Sequence, residues 1–395
     1  VQNSGEHSFD VTNKLNHIKM NKKYLRKDPV KSLNLTRSVL LQSIKLQTGY
    51  DLSKVSSGYF KQVDKWVDAN GPSWTVERLK MIYHIALNKL LDQPNPKYPF
   101  IKTTDGFPTV VLVLLPIGTK SPQGAQAVLG LLGWYRNMVS KPNPNFDPIT
   151  KVGKRISEEL IQDIVSMASP YKLPLKELSE PLTLFRCKRG PNGNATITSH
   201  LDLMALPDDV YHHLSEVIKL TGGRNPPDFL EYLDKLRKLL GTKPIYLHSK
   251  LSLKKEGGGK TRIFAIVDYW TQCSLKPLHD SLARTLKRFP QDCTFNQGKG
   301  VEDLKAWTTQ DKPLYSYDLS SATDRFPVEL QAAILNKITG SETYSTAWKN
   351  LVTQREFRYK KKSYKWATGQ PLGAYGSWAM FAFSHHMVVR RAAQM

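Results

Sequence analysis

The sequence predicts an α+β protein, helix-rich up to about residue 240 and mixed beyond it. Three observations carry this. Before residue 240, apolar residues recur at three- and four-residue steps in several separate segments, the period of a half-buried helix. Ile263-Phe264-Ala265-Ile266-Val267 follows a glycine-rich turn and reads as a buried strand. Leu314-Tyr315-Ser316-Tyr317-Asp318 reads as a second strand, ending in an acid and leading into helix-spaced residues.

The elements follow in order. Residues 1–35 are polar and basic, with Lys19, Lys22, Lys23, Arg26, Lys27 and Lys31; a solvated arm and a phosphate-contacting arm are both consistent with them. From Ser73, with Ser73 or Thr75 as cap, Val76, Leu79, Ile82, Tyr83, Ala86, Leu87, Leu90 and Leu91 predict a helix that Gln93-Pro94-Asn95-Pro96 stops. Further helices are predicted over 126–138, 157–168 and 227–240, the last on Phe229, Leu230, Leu233, Leu236, Leu239 and Leu240. Gly190-Pro191-Asn192-Gly193 predicts a turn, with proline fixing one φ and glycine supplying a positive one. Beyond Phe326, Pro327 suits the first position of a helix continued by Val328, Leu330, Ile334, Leu335 and Ile338.

Composition narrows the function classes. The 395 residues hold 57 Lys and Arg against 34 Asp and Glu, a formal charge of +23, which points to a polyanion, nucleic acid first and acidic lipid second. Aromatic content of 10% can fill a core and excludes a fully disordered chain. Cys187, Cys273 and Cys293 are too few and too scattered for a disulfide framework or a zinc module, and favour a reducing compartment. The longest apolar run, Val110 to Leu115, is far short of the roughly 20 residues of a membrane span. No signal peptide is visible at the start. The chain opens on Val1 and closes at Met395 inside an apolar stretch, which predicts a fragment.

Three segments carry chemistry. Lys254-Lys255-Glu256-Gly257-Gly258-Gly259-Lys260-Thr261-Arg262 combines glycines, whose backbone N–H groups can turn toward an anion, with flanking cations. It is not a P-loop, because Lys254 stands where that pattern needs glycine and a strand follows. Asp318 lies at the predicted strand end and Asp324 on the turn into the next helix. A strand-end carboxylate in a basic protein suits Mg²⁺ and phosphoryl transfer, although turn and cap carboxylates look the same in sequence. Gly369-Gln370-Pro371-Leu372-Gly373-Ala374-Tyr375-Gly376-Ser377 is a small-residue loop feeding a helix, permitting close approach of a bulky partner such as a template nucleotide. The Ser377 hydroxyl can contact ribose or phosphate, or cap the helix. His385 and His386 read as packing or polar groups, since no third metal ligand is suggested.

Taken in order with Lys188-Arg189-Gly190-Pro191-Asn192-Gly193, Asp268-Tyr269-Trp270-Thr271-Gln272 and Pro277-Leu278-His279-Asp280-Ser281, these segments resemble the RNA-dependent RNA polymerases of mitoviruses, with narnavirus and levivirus-type enzymes as wider relatives. The resemblance covers roughly residues 185 to 390. It implies a right-hand polymerase: a helix-rich N-terminal region over 1–170, fingers over 171–300 and part of a palm over 301–395. Glu256 to Arg262 looks like motif F, whose Lys and Arg bind the incoming triphosphate, with Lys254 and Lys255 beside it. Asp318 to Asp324 looks like motif A, Asp318 as a ligand of Mg²⁺ or Mn²⁺ and Asp324 as the sensor of the ribose 2′-OH. Gly369, Gln370, Gly373 and Ser377 look like motif B. The implied partners are RNA template and product and nucleoside triphosphates, in a mitochondrion. Two departures stand out. Phe381 occupies the place where many positive-strand polymerases carry an Asn that partners the ribose sensor, and no Gly-Asp-Asp occurs in these 395 residues. The resemblance therefore implies a chain cut before the catalytic hairpin and thumb, inactive alone, or a degenerate relic in a host genome. The rivals are a reverse transcriptase, against which Asp324 argues, and a non-catalytic basic RNA-binding protein.

Overall fold

The periodicity that predicts a helix from Ser73 is realised as the second arm of a longer kinked helix. In the computed structural model, which describes residues 29–96, 98–138, 143–178, 188–221, 226–310 and 313–394, helix α2 runs Ser53–Leu90 and breaks at Gly71 (φ 81°, ψ 166°) next to Pro72. Proline lacks the N–H and clashes with the preceding turn, which is why the break falls there. Thr75 Oγ1 donates back to the Gly71 carbonyl at 2.9 Å, a bond across the kink rather than the cap expected of Ser73 or Thr75. The basic cluster Lys19–Lys27 lies outside the described residues, as does Cys187; Lys31 falls in helix α1, Pro29–Thr48.

Among the described residues the chain divides into two compact units, one within 1–143 together with 255–261, the other within 144–254 and 262–395. In the first, α1 and α2 are joined by a two-residue strand pair, β1 Thr103–Thr104 and β2 Phe107–Pro108, and by α3, Pro122–Leu132. Ser121 caps α3 through a hydrogen bond from Gly124 N, and Pro122 takes the first helical position. The helix predicted over 126–138 thus begins earlier and tightens into a 3₁₀ turn from Gly133 to Asn137. Val63, Leu79, Ile82, Val128, Leu131 and Trp134 form the core. Arg37 makes two hydrogen bonds to Asp64, at 3.0 and 2.6 Å, while its guanidinium lies 4.7 Å from the Phe60 ring and 4.6 Å from Trp134.

The second unit is a helical cluster around a small sheet. Besides a single turn at Asp147–Thr150, its α-helices among the described residues are α4 Glu158–Ser166, α5 Ser199–Ala205, α6 Asp208–Thr221, α7 Pro226–Leu240, α8 Tyr269–Leu286, α9 Gln297–Thr308, α10 Ala322–Arg325, α11 Val328–Thr339, α12 Glu342–Thr353 and α13 Ser377–Ala393. The predicted helices over 157–168 and 227–240 are present as α4, capped by Ser157, and α7, which buries Leu230 and Leu233. Strands β3 Ser249–Lys255, β4 Thr261–Val267, β5 Phe357–Tyr359 and β6 Lys362–Tyr364 form one sheet in the order β4-β3-β5-β6, with β5 parallel to β3 and antiparallel to β6. Leu214, Leu275, Leu278, Leu335, Trp348 and Phe383 are fully sealed in its core.

Two sequence expectations are corrected. Leu314–Asp318 forms no strand: the segment is irregular and exposed, Tyr317 to 87%. Strand-forming residues need a ladder for their N–H and C=O groups, and no strand among the described residues lies beside these. The Gly190–Gly193 turn exists, with Gly190 N donating to Gly193 O at 2.7 Å, but neither glycine has positive φ. Crowding explains them instead: a Cβ on Gly193 would lie 2.8 Å from Thr198 Cγ2.

That turn is tied into a buried polar network. Asn192 Nδ2 donates to Asp202 Oδ1 (2.7 Å) and Leu247 O (2.9 Å), and Tyr269 N donates to Asp202 Oδ2 (2.9 Å). Asp268 caps α8 by accepting from Thr271 N at 2.8 Å and pairs with Arg355 at 2.6 Å, both side chains sealed from solvent. Burial, and the Asp268 carboxylate beside it, push the Asp202 carboxyl up to about 7. Burial and Arg355 pull His248 down to about 4. Folded Asp202 therefore holds a proton that the unfolded chain has released, so its contribution is fully present below pH 3.8 and is lost as pH rises through about 7. His248 acts with the opposite sign between about pH 4 and 6.5, where the unfolded chain binds the proton that the fold refuses. Asp202→Asn removes only the first effect. Its stability relative to the parent chain is expected to rise with pH, by about 1.4 kcal/mol per unit between pH 4.5 and 6.5. Urea denaturation across that range measures it, and a pH-independent difference would refute the assignment.

Candidate nucleotide and RNA site

Helix α10 is a single turn, entered through Ser321 at φ 53°, and it carries Asp324 half-buried. Pro327, fixed at φ −57°, stands one place before the helix it was expected to open, as the N-cap of α11. The glycine loop reaches Asp324 from 45 residues away in sequence. Gly369 N donates to Asp324 O and Gln370 N to Thr323 O, both at 3.1 Å. A Cβ on Gly369 would sit 2.3 Å from Thr323 O, so glycine is required for that approach. Burial raises the Asp324 carboxyl above the usual carboxylate range; the indole N–H of Trp366, 2.9 Å from Oδ1, works against that rise.

The rest of the loop is held by β4 and α8. Gly373 (φ 124°) lies so close that a Cβ would be 2.2 Å from Ala265 O, and Ala265 N donates to Leu372 O at 2.7 Å. Gln272 holds it from the other side, with Nε2 donating to Gly373 O at 2.9 Å and Oε1 accepting from Tyr375 N at 2.8 Å. Gln370 is sealed and hydrogen-bonded to Gln331 and to the Ser377 carbonyl, so its amide shapes the loop from within. Ser377 is buried one place after Gly376, the N-cap in left-handed conformation. A cavity of about 360 Å³ opens beside this loop, lined by Lys188, Arg189, His279, Ser377 and Trp378 among others. Burial keeps His279 below the usual imidazole range, and its ring lies 5.4 Å from Tyr375 and 5.9 Å from Trp378.

The glycine-rich hairpin is shaped differently from the anion cradle that its glycines suggest. Glu256 N donates to Lys260 O at 2.8 Å, and Gly258 N to Met138 O at 3.1 Å, so two of its N–H groups are spent on the protein. Gly258 and Gly259 take positive φ, and a Cβ on Gly257 would overlap Arg136 O at 1.6 Å. The free charge is on side chains: Lys254, Lys255 and Lys260 are exposed. Arg262 is half-buried in β4, and Glu256 is half-buried at the tip.

Asp318 is exposed on the irregular segment before α10 and belongs to no group of three ligand-type side chains among the described residues. Among those residues, the one group of three ligand-type side chains within mutual reach is His212, His213 and Glu216 on α6. The donors at Asp318 therefore do not by themselves fit a divalent cation. His386 Nε2 pairs with Asp292 Oδ2 at 2.8 Å and His385 packs near Phe381, in keeping with polar and packing roles.

The sequence profile of the Mitovirus RNA-dependent RNA polymerase family matches residues 176–395, which contain Asp318, Asp324 and both glycine loops. The chain belongs to that family. It is 28% identical over 359 residues, 82% of its own length, to the RNA-directed RNA polymerase of Cryphonectria parasitica mitovirus 1 (strain American chestnut tree/New Jersey/NB631), of which it covers 43%. It is 38% identical over 113 residues and 34% identical over 110 residues to two uncharacterized mitochondrial proteins of Arabidopsis thaliana, covering 27% and 26% of this chain and 44% and 52% of those proteins. The chain thus spans about half or less of the length of the curated relatives it matches. No solved structure matches it.

In this mitovirus polymerase family member, two residues of the single segment Asp268–Gln272 have roles that its place among the motifs does not announce. Gln272 bridges the loop, and Asp268 caps α8 while pairing with Arg355. An acid three residues before a helical Thr is a cap signal readable in sequence. Trp366 and Arg355 carried no signal, because their partners lie 42 and 87 residues away. No helix among the described residues is long and apolar enough to cross a membrane.

Gly369→Ala tests the loop contact. The added methyl must displace backbone at 2.3 Å, so the variant is expected to lose roughly 1–3 kcal/mol of stability by urea denaturation. Gly340→Ala is the control, since nothing lies within 4 Å there and only its φ of 70° opposes the change. Equal losses at both sites would show that the approach to Asp324 carries no special cost.

Proposed function

We propose that this chain supplies the nucleotide- and template-binding part of a template-directed RNA polymerase. The reaction would be attack of an RNA 3′-hydroxyl on the α-phosphorus of a nucleoside triphosphate, with pyrophosphate leaving. One observation carries the reading: within the family-matched region, the Gly369 loop is pressed against the backbone of Thr323 and Asp324, two segments that sequence separates by 45 residues. Such packing joins a ribose-facing carboxylate to a small-residue platform on which a template nucleotide can lie.

In this reading Asp324 accepts a hydrogen bond from the ribose 2′-OH, and Lys254, Lys255, Lys260 and Arg262 hold triphosphate or RNA phosphates, with Glu256 setting the hairpin. A guanidinium grips phosphate with two parallel N–H groups where lysine acts as a point charge. Gly369, Gly373 and Ser377 give the template its platform, and Gln370 keeps that platform in shape. Asp318 stands at the motif A position where a ligand of Mg²⁺ or Mn²⁺ is expected, and the described residues do not complete a site for that ion around it. Because the described residues gather no set of three ligand-type side chains at Asp318, the role of this chain's residues in the reading is to bind and orient substrates. On the same grounds we infer that the isolated chain binds RNA without extending it. The names of the relatives, one from a mitovirus and two mitochondrial proteins, support placing the activity in a mitochondrion.

The net charge of +23 favours RNA binding driven by counterion release, so affinity is expected to fall steeply as salt rises. Arg262→Ala and a triple Lys254/Lys255/Lys260→Ala variant are expected to weaken ATP and RNA binding about tenfold or more at 0.1 M salt, with a shallower salt slope for the triple variant. Fluorescence titration against labelled RNA measures both, and unchanged affinities would reduce the cluster to a solvated face. Asp324→Ala is expected to bring the affinities for ATP and dATP close to one another. A primer-extension assay on the 395-residue chain completes the test; extension that disappears in Asp318→Ala would overturn the claim that this chain does not polymerise alone.

A further inference from the structure

The ribose reading leaves Asp324 in need of a partner, because the position where an Asn would be expected is Phe381. Phe381 offers no donor and packs edge-on against Phe326, with ring centroids 5.2 Å apart. The partner in the structure comes from outside both motifs. The Trp366 indole N–H donates to Asp324 Oδ1 at 2.9 Å.

Trp366 is itself held on two sides. It is 5% exposed and packs edge-on against Phe357 of β5 at 4.7 Å, and Phe357 is fully buried. The next residue, Ala367, donates its N–H to Ile149 O at 2.9 Å. Two residues further on, Gly369 and Gln370 bond the backbone of Asp324 and Thr323. One short stretch, 366–370, thus grips the side chain and the main chain of the same acid. Oδ2 accepts from no protein donor among the described residues and is not among their sealed polar atoms.

We propose that Trp366 is the positioning residue of the ribose site: its N–H fixes one oxygen of Asp324 so that the other faces the 2′-OH of an incoming nucleotide. This inference rests on the reading of Asp324 as the ribose sensor and adds the group that orients it. A carboxylate hanging on rotatable bonds distinguishes a hydroxyl poorly; one clamped at Oδ1 presents a single acceptor in a fixed direction. The indole N–H is suited to the task because it is a donor only and cannot compete for the sugar's proton. Its presence also favours the charged form of a carboxyl that burial otherwise raises.

The test uses the 395-residue chain and three variants, with equilibrium titration of ATP and dATP in Mg²⁺ and ¹³C-carboxyl NMR titration of Asp324. Trp366→Phe keeps a ring against Phe357 and removes the donor; Trp366→His keeps a donor; Asp324→Ala removes the acceptor. Thermal melts confirm folding. Trp366→Phe is expected to lower the ATP over dATP preference about five- to tenfold and to raise the Asp324 pKa, with Trp366→His recovering at least part of both. If Asp324→Ala abolishes the preference and Trp366→Phe leaves it and the pKa unchanged, the Trp366 role is refuted and the ribose reading stands. If the parent chain binds ATP and dATP equally, or Asp324→Ala changes nothing, the ribose reading falls and takes this role with it.

Discussion

A guanidinium and a carboxylate without solvent exposure, Arg355 and Asp268, lie 2.6 Å apart in the second unit. Taking two such charges out of water costs several kcal/mol each, and the pair is tolerable only because hydrogen bonds surround it. Asp268 also accepts from Thr271 N, Arg355 Nη1 donates to Thr271 Oγ1 at 3.0 Å, and Nη2 donates to His248 O at 3.1 Å. The start of β3, the first turn of α8 and the entry to β5 are locked to one another by this arrangement. Ser249 Oγ donating to Glu356 O at 2.6 Å closes it. Tyr269 N extends the network to Asp202 and through Asn192 to the Gly190–Gly193 turn.

The candidate site depends on that lock. Helix α8 presents Gln272, which holds both ends of the Gly373–Tyr375 segment. The β3–β4 hairpin carries Lys254 and Arg262, and β4 supplies the Ala265 backbone against which Gly373 lies. Strand β5 supplies Phe357, the surface on which Trp366 rests. A buried ion pair adds little net stability compared with apolar packing, but removing one partner strands the other, so it specifies a single arrangement of the elements that meet at it.

Glycines serve two purposes in the motifs. Gly258, Gly259 and Gly376 are needed for positive φ. Gly257 and Gly369 are needed because another backbone occupies the space of a Cβ, and Gly373 is needed on both counts. In the Gly369 loop this close packing lets a segment after β6 reach Asp324. In the β3–β4 hairpin two N–H groups that could otherwise face an anion are bonded to backbone carbonyls, which leaves the charge of the hairpin on the exposed side chains of Lys254, Lys255 and Lys260.

The sequence by itself determined what is local. The arm of α2 beyond Gly71, α4, α7, α11 and strand β4 follow from apolar spacing, Ser and Pro start signals and the Gln93–Pro96 stop, all of which act within a few residues. The order of short motifs was enough to point to the mitovirus polymerase family, and it placed Asp324 and the Gly369 loop among the candidate residues. Tertiary structure decided whatever needs a partner far along the chain. Leu314–Asp318 has strand-forming residues and no ladder beside it, so its backbone stays solvated. Asp324 is oriented by Trp366, Asp268 is neutralised by Arg355, and Gln370 is turned inward by Gln331. A hydrogen bond or ion pair between distant residues leaves no periodicity and no local composition; it exists only once the core has brought its two ends together.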